Sequence, residues 1–245
     1  IKGSVKTVTI KRDACGYLWV CFSACKEVPT PELPRTGHAV GLDFGLKCFL
    51  VTSDGDRIEA PQPLKENLEE VQNLHKELSR KQRGSSNRRE AKRRLAKKYR
   101  QISNQRKDFH FKLARQLFSR YDTICIEDLH IEAMKELWGR KVSDLGFSGF
   151  VSILEHVAQK ENKEVRKVGR YFPSSQTCSE CGHRYSDLSL EERVWECADC
   201  GSVHGRDQNA AQNVLERALS MKDHNGPSEA GVRPSGTAAR VATAK

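Results

Sequence analysis

Two C-x-x-C pairs stand late in the chain, Cys178/Cys181 and Cys197/Cys200, with fifteen residues between them. Each pair can turn a knuckle that presents two thiolates, and two such knuckles complete a tetrahedral four-sulfur site for Zn2+. Gly182 and Gly201 follow the second cysteine of each pair, where a knuckle needs a tight backbone turn. Four protein ligands leave no open coordination position, so the metal's role is to order the segment and not to catalyse. A redox dithiol is the competing reading of a C-x-x-C. His183 and His204 lie close enough in sequence to serve as ligands, but polar surroundings favour surface positions for both.

Three carboxylates suggest a different chemistry. Asp43 interrupts the apolar run AVGLDF, Glu127 ends the run TICIE, and Asp207 opens the last amphipathic segment. Singly they read as a turn acid, a solvated strand end and a helix N-cap. Together, acids on two strands and a late helix can converge at one end of a sheet. Such a set would hold two hard divalent ions, Mg2+ or Mn2+, for phosphodiester cleavage. Asp54, Asp56, Asp128 and Glu132 read as solvent-facing or supporting neighbours. Neither a G-x-S-x-G elbow nor a G-x-x-x-x-G-K-[ST] loop occurs. GLDFG also resembles the phosphate loop of sugar kinases, whose further glycine motifs are missing here.

The elements that carry these residues follow from periodicity. Val5–Ile10 and Tyr17–Cys25 read as paired strands, and AVGLDF (39–44), CFLVTS (48–53) and DRIEA as an antiparallel meander. Leucines at three- and four-residue spacing from Leu64, and again from Leu95 to Leu117, predict two long helices joined at Gly84–Asn87. YDTICIED is a further strand, 144–160 a helix, 164–168 a strand and 207–220 a final helix. Between Ser79 and Lys107 stand thirteen Lys/Arg against the single acid Glu90. Like charges at helical spacing repel, so this run points to a polyanion. The residues expected to bind nucleic acid are Arg80, Lys81, Arg83, Arg88, Arg89, Lys92, Arg93, Lys97, Lys98 and Arg100, with Arg206 beside the third acid. The whole chain agrees: 245 residues carry 42 Lys+Arg and 32 Asp+Glu, a formal net charge of +10. No run is apolar and long enough to span a membrane and no leader opens the chain, which leads to an expectation of no membrane partner and a cytoplasmic protein, nucleoid-associated when bound to DNA. The remaining cysteines, Cys15, Cys21, Cys25, Cys48 and Cys125, read as reduced thiols.

In this order the segments AVGLDFGLKCFLVTSDG, TICIEDL, VSILEHVAQKENKEVRKVGRYFPSSQTCSECG and WECADCGSVHGRDQNAAQNV resemble the TnpB (OrfB) family. These are transposon-encoded RNA-guided endonucleases related to compact type V CRISPR effectors. The resemblance implies an α/β fold: an RNase H-like, RuvC-type mixed sheet with an inserted long helical hairpin and an inserted four-cysteine zinc ribbon. It divides the chain into the end of a truncated, wedge-like β-barrel (1–28) and a linker (29–37). A nuclease domain (38–174) with its basic hairpin (64–121) follows. A zinc-bearing target-nucleic-acid-binding insert (175–205), a final helix (206–221) and a disordered tail (222–245) complete the chain. By motif, Asp43, Glu127 and Asp207 match the catalytic, Mg2+-binding acids, and the four cysteines match the zinc ligands. The implied partners are a DNA target and, for the full-length protein, a guide RNA. The implied activity is metal-dependent DNA cleavage associated with transposition. The alternative is a guided DNA-binding repressor or accessory factor that does not cut.

Overall fold

The computed structural model describes residues 3–25, 35–186, 188–189 and 191–221. The expected tail, and all but the last three residues of the expected linker, lie outside these residues. Strands β1 (Ser4–Arg12) and β2 (Leu18–Cys25) form an antiparallel hairpin. Its turn is organised by Asp13, whose Oδ1 accepts from the amides of Cys15 and Tyr17, both at 2.9 Å.

The centre of the molecule is a five-stranded mixed sheet in the order β5-β4-β3-β6-β7. Its strands are β3 (Ala39–Phe44), β4 (Leu50–Thr52), β5 (Arg57–Ile58), β6 (Thr123–Glu127) and β7 (Glu164–Val168). β3–β4–β5 is the expected antiparallel meander, while β3–β6 and β6–β7 pair in parallel. Alternation along each strand sorts residues between two faces. Val40, Leu42, Phe44, Ile124 and Ile126 face the main core, where they meet Leu113, Leu117 and Phe118 of helix α3 (Ser86–Arg120) and Phe147, Phe150 and Leu154 of helix α5 (Phe147–Glu161). Gly41 faces the opposite side, against helix α6 (Arg206–Ser220). A Cβ on Gly41 would stand 2.0 Å from the Ala211 carbonyl oxygen, so only glycine lets this helix lie so close to the strand.

The helices depart from the sequence in instructive ways. The first predicted helix breaks at Asn67 into α1 (Pro63–Glu66) and α2 (Leu68–Ser79). α3 begins earlier than its leucine pattern suggests, because Ser85 caps it by accepting from the Arg88 amide at 3.2 Å. The helix predicted over 144–160 is α5, starting at Phe147; a further helix not expected from the sequence, α4 (Ile131–Leu145), precedes it and ends where Gly146 turns left-handed at φ +66°. Asp144 does not open a helix. Its buried carboxylate, at the end of α4, accepts from the amides of Leu64 and Lys65 at 3.0 and 2.9 Å and so anchors the start of α1.

Candidate active site and metal centre

Asp43 and Glu127 are brought together by register. Leu42 lies opposite Ile126 in the parallel β3–β6 ladder, so the next residue on each strand is an acid, and both point to the α6 side of the sheet. Gly41 lets α6 approach, which sets Asp207 in the helix's first turn over the same strand ends. Gly205 is the N-cap, so the N-cap reading of Asp207 does not hold. The three acids line one cleft of about 580 Å3 together with Trp138, Lys141, Arg193 and Arg206.

Electrostatics mark this cleft. The Asp43 carboxyl is pushed up to about 8, first by burial and then by the charges of Asp207 and Glu127. Glu127 is pushed up to about 7 by burial and by Asp128. Among the described residues neither acid is in an ion pair. Asp207 is, with Arg57 at 3.1 Å and Arg193 at 3.3 Å. The donor set is of hard carboxylate oxygens, and the charges of Arg206 and Arg193 act on Asp43 without forming an ion pair with it among the described residues. That is the chemistry a divalent ion fits.

The cysteines form the second centre. Their four sulfurs all lie within 4.8 Å of one another, with Cys178–Cys200 at 3.7 Å and Cys181–Cys197 at 3.6 Å. Tetrahedral Zn–S bonds of about 2.3 Å place sulfurs roughly 3.8 Å apart, so the residues fit zinc. The two knuckles repeat one geometry. Gly182 and Gly201 are left-handed, at φ +77° and +74°, and their amides return to the carbonyls of Cys178 and Cys197 at 2.9 and 2.8 Å. Strands β8 (Val194–Glu196) and β9 (Val203–Gly205) join the second knuckle to α6. His183 is exposed as expected, but His204 is not. Only 7% exposed, it stacks at an angle on Trp195, and its Nε2 lies 3.0 Å from the Cys178 sulfur. Strand alternation in β9 turns it inward, and that signal outweighs the polarity of its neighbours.

The expected nucleic-acid-binding residues divide. Arg80, Arg83, Arg89, Lys92, Arg93 and Lys97 are exposed along the α2–α3 hairpin, with Lys81 half-buried. Arg88, by contrast, donates to the carbonyls of Leu78 and Lys81, closing the hairpin. Lys98 pairs with Glu70 and Arg100 with Asp13. Arg206 donates to the Ser189 carbonyl at 2.8 Å while lining the cleft.

Several residues of the site carry no strong sequence signal. Asn209 and Asn213 are buried on α6 and donate to the Thr177 carbonyl at 2.7 and 2.6 Å, while Asn209 also accepts from the Ser179 amide at 2.9 Å. Polar residues on the inward stripe of NAAQNV were the available hint. Arg57 and Arg193 reach Asp207 from 150 and 14 residues away, which no local pattern announces.

Comparison with known proteins identifies the class. Residues 23–137 match the OrfB_IS605 family model, described as "Probable transposase", and residues 147–214 match the "Cas12f1-like, TNB domain" model. Along these two segments the chain is similar to proteins of the OrfB/TnpB type. It is 35% identical to a "Putative RNA-guided DNA endonuclease" of Streptomyces pristinaespiralis, over 87% of this chain and 53% of that protein. It is 28% identical to the "TnpB-like protein L79" of Acanthamoeba polyphaga mimivirus, over 87% of this chain and 44% of that one. The chain therefore spans about half the length of the curated relatives it matches. The solved Cas12f1–sgRNA–target DNA complex shares the mixed α/β fold at a TM-score of 0.59 and 21% identity, covering 85% of this chain and 44% of that chain. Among the described residues no helix is long and apolar enough to cross a membrane.

Proposed function

We propose that the chain is the cutting portion of an RNA-guided DNA endonuclease of the TnpB type. On this reading its sheet is of the RNase H-like, RuvC type, 175–205 is a target-binding zinc insert, and the β1–β2 hairpin belongs to a barrel. The observation that carries the reading is the placement of Asp43 and Glu127 on neighbouring strand ends with Asp207 lining the same cleft, the first two in no ion pair among the described residues. Asp43, Glu127 and Asp207 would hold Mg2+ or Mn2+, which supplies an activated water and charge neutralisation at the scissile phosphate. The protein's own part is to position the strand. Exposed cations of the α2–α3 hairpin hold its phosphates, and Arg206 and Lys141 line the cleft beside the acids.

The engagement of Asp207 by both Arg57 and Arg193 supports the second reading, a guided DNA binder that does not cut. Incubation of the chain with single-stranded and duplex DNA and Mg2+ or Mn2+, alongside Asp43→Ala, separates the two. Cleavage is expected, and Asp43→Ala should lower it by more than about 100-fold, since even partners of metal ligands are worth about 10–100-fold. DNA bound but left intact by the parental chain would favour the binder, and cleavage undiminished in the variant would remove Asp43 from the site.

A further inference from the structure

A third constellation lies away from both centres, where the hairpin turn meets the middle of α3. Arg100 connects them. Its guanidinium pairs with Asp13 at 2.7 Å and lies 4.8 Å from the Tyr17 ring and 4.9 Å from the Trp19 ring. The Trp19 indole N–H in turn donates to Asp13 at 2.8 Å. This lock holds Tyr17 half exposed over a recess of about 400 Å3, lined by Tyr17, Lys97, Arg100, Gln101, Asn104 and Gln105. That volume falls within the roughly 300–1,000 Å3 range of small-ligand sites.

The lining is chemically specific. Positions 97, 101, 104 and 105 recur at helical spacing, so one face of α3 presents an ammonium group and then three exposed carboxamides. A surface built only for phosphate would be cationic throughout. Here Arg100 is already neutralised by Asp13, and Lys97 is the cation without a carboxylate partner among the described residues. Carboxamides offer paired donor and acceptor groups, which match the edges of nucleobases. A phosphate, which only accepts, uses half of that capacity. The half-exposed ring of Tyr17, with the Lys97 ammonium 5.8 Å from its centroid, supplies an aromatic surface on which a base can stack once Lys97 turns to a phosphate, and a base face is accessible only where the base is unpaired.

We propose that this recess binds one unpaired nucleotide of a polynucleotide strand. Its base stacks on Tyr17, its edge meets the carboxamides of Gln101, Asn104 and Gln105, and Lys97 takes an adjoining phosphate. The site stands on these residues and not on the nuclease reading.

The test uses the whole chain carrying Asp43→Ala, so that no probe is cut and loss of cleavage cannot be mistaken for loss of binding. Fluorescence anisotropy with labelled oligo(U), oligo(dT) and an abasic oligomer of equal length reads the affinity at several salt concentrations. The parental chain is expected to bind a base-bearing strand about 5- to 100-fold more tightly than the abasic one. Tyr17→Ala should abolish that preference without changing the salt slope, and Tyr17→Phe should preserve it. Lys97→Gln should keep the preference and lower the salt slope by about 1. A tighter hold on oligo(U) than on oligo(dT) assigns the strand to RNA, and the reverse assigns it to DNA. Equal binding of abasic and base-bearing strands by the parental chain, or a preference that survives Tyr17→Ala, overturns the proposal.

Discussion

At Asp43 and Glu127 the same burial that suits a metal site works against the metal-free fold. A carboxyl whose pKa is raised on folding favours the folded state only while protonated. Its contribution is full below about pH 4 and is lost as pH rises toward 8 at Asp43 and 7 at Glu127. In buffer free of Mg2+ and Mn2+, Asp43→Asn should therefore be more stable than the parental chain at pH 8, by about 1–3 kcal/mol, with the advantage fading toward pH 4. Thermal melts at the two pH values measure it. Mg2+ affinity should climb over the same interval, because the ligands must shed protons to bind. The identities of these acids were legible, since each interrupts or ends an apolar run. The pairing of Asp207 with Arg57 was not, because a contact across 150 residues leaves no local trace.

Among the elements, α6 determines whether the acids meet. It touches β3 through Gly41, and a Cβ there would also crowd Leu215 at 2.9 Å. Gly41→Ala should push the helix off the sheet, cost about 1–3 kcal/mol in a denaturant titration and depress cleavage out of proportion to the stability lost. The ribbon bears on the same helix. Cys197→Ser should release zinc, measured as metal content, and weaken cutting, because Arg193 and the first knuckle lose their support. Unchanged cutting after zinc loss would make the ribbon an independent module. The strands, the knuckles and α6 were readable from short apolar runs, C-x-x-C spacing and a three-to-four repeat, while the parallel pairing of β3, β6 and β7 was not. Helix α4 was not, although Ile131, Met134, Leu137, Val142 and Leu145 are apolar: Trp138, beside Gly139, leaves helical geometry in its middle and interrupts the pattern. His204 was misjudged for a related reason: neighbouring polarity is a weaker guide than the pleat that turns it against Trp195.

Over the whole molecule, charge is distributed with a purpose that the net value of +10 conceals. Some cations of the basic run are spent holding the fold together, such as Arg88 on the hairpin carbonyls and Lys98 on Glu70. Others are exposed along the hairpin. Replacing Arg89, Lys92 and Arg93 with Gln should therefore weaken DNA binding evenly across sequences and reduce the slope of log affinity against log salt by about 2–3, at about 0.7–0.9 per phosphate contact. A filter-binding series across salt concentrations reads that slope, and an unchanged value would place the strand elsewhere. Replacing Arg88 should instead lower the melting temperature.

The carboxamides of Asn209 and Asn213 tie the first zinc knuckle to the helix that carries Asp207. On the proposed reading two ion sites are then linked through α6, and thermodynamic reciprocity applies to them. If the acids hold magnesium as proposed, then by whatever factor zinc occupancy tightens that binding, magnesium must raise the affinity of the thiolates for zinc. A protein working on its target would then hold its structural metal more firmly than one at rest.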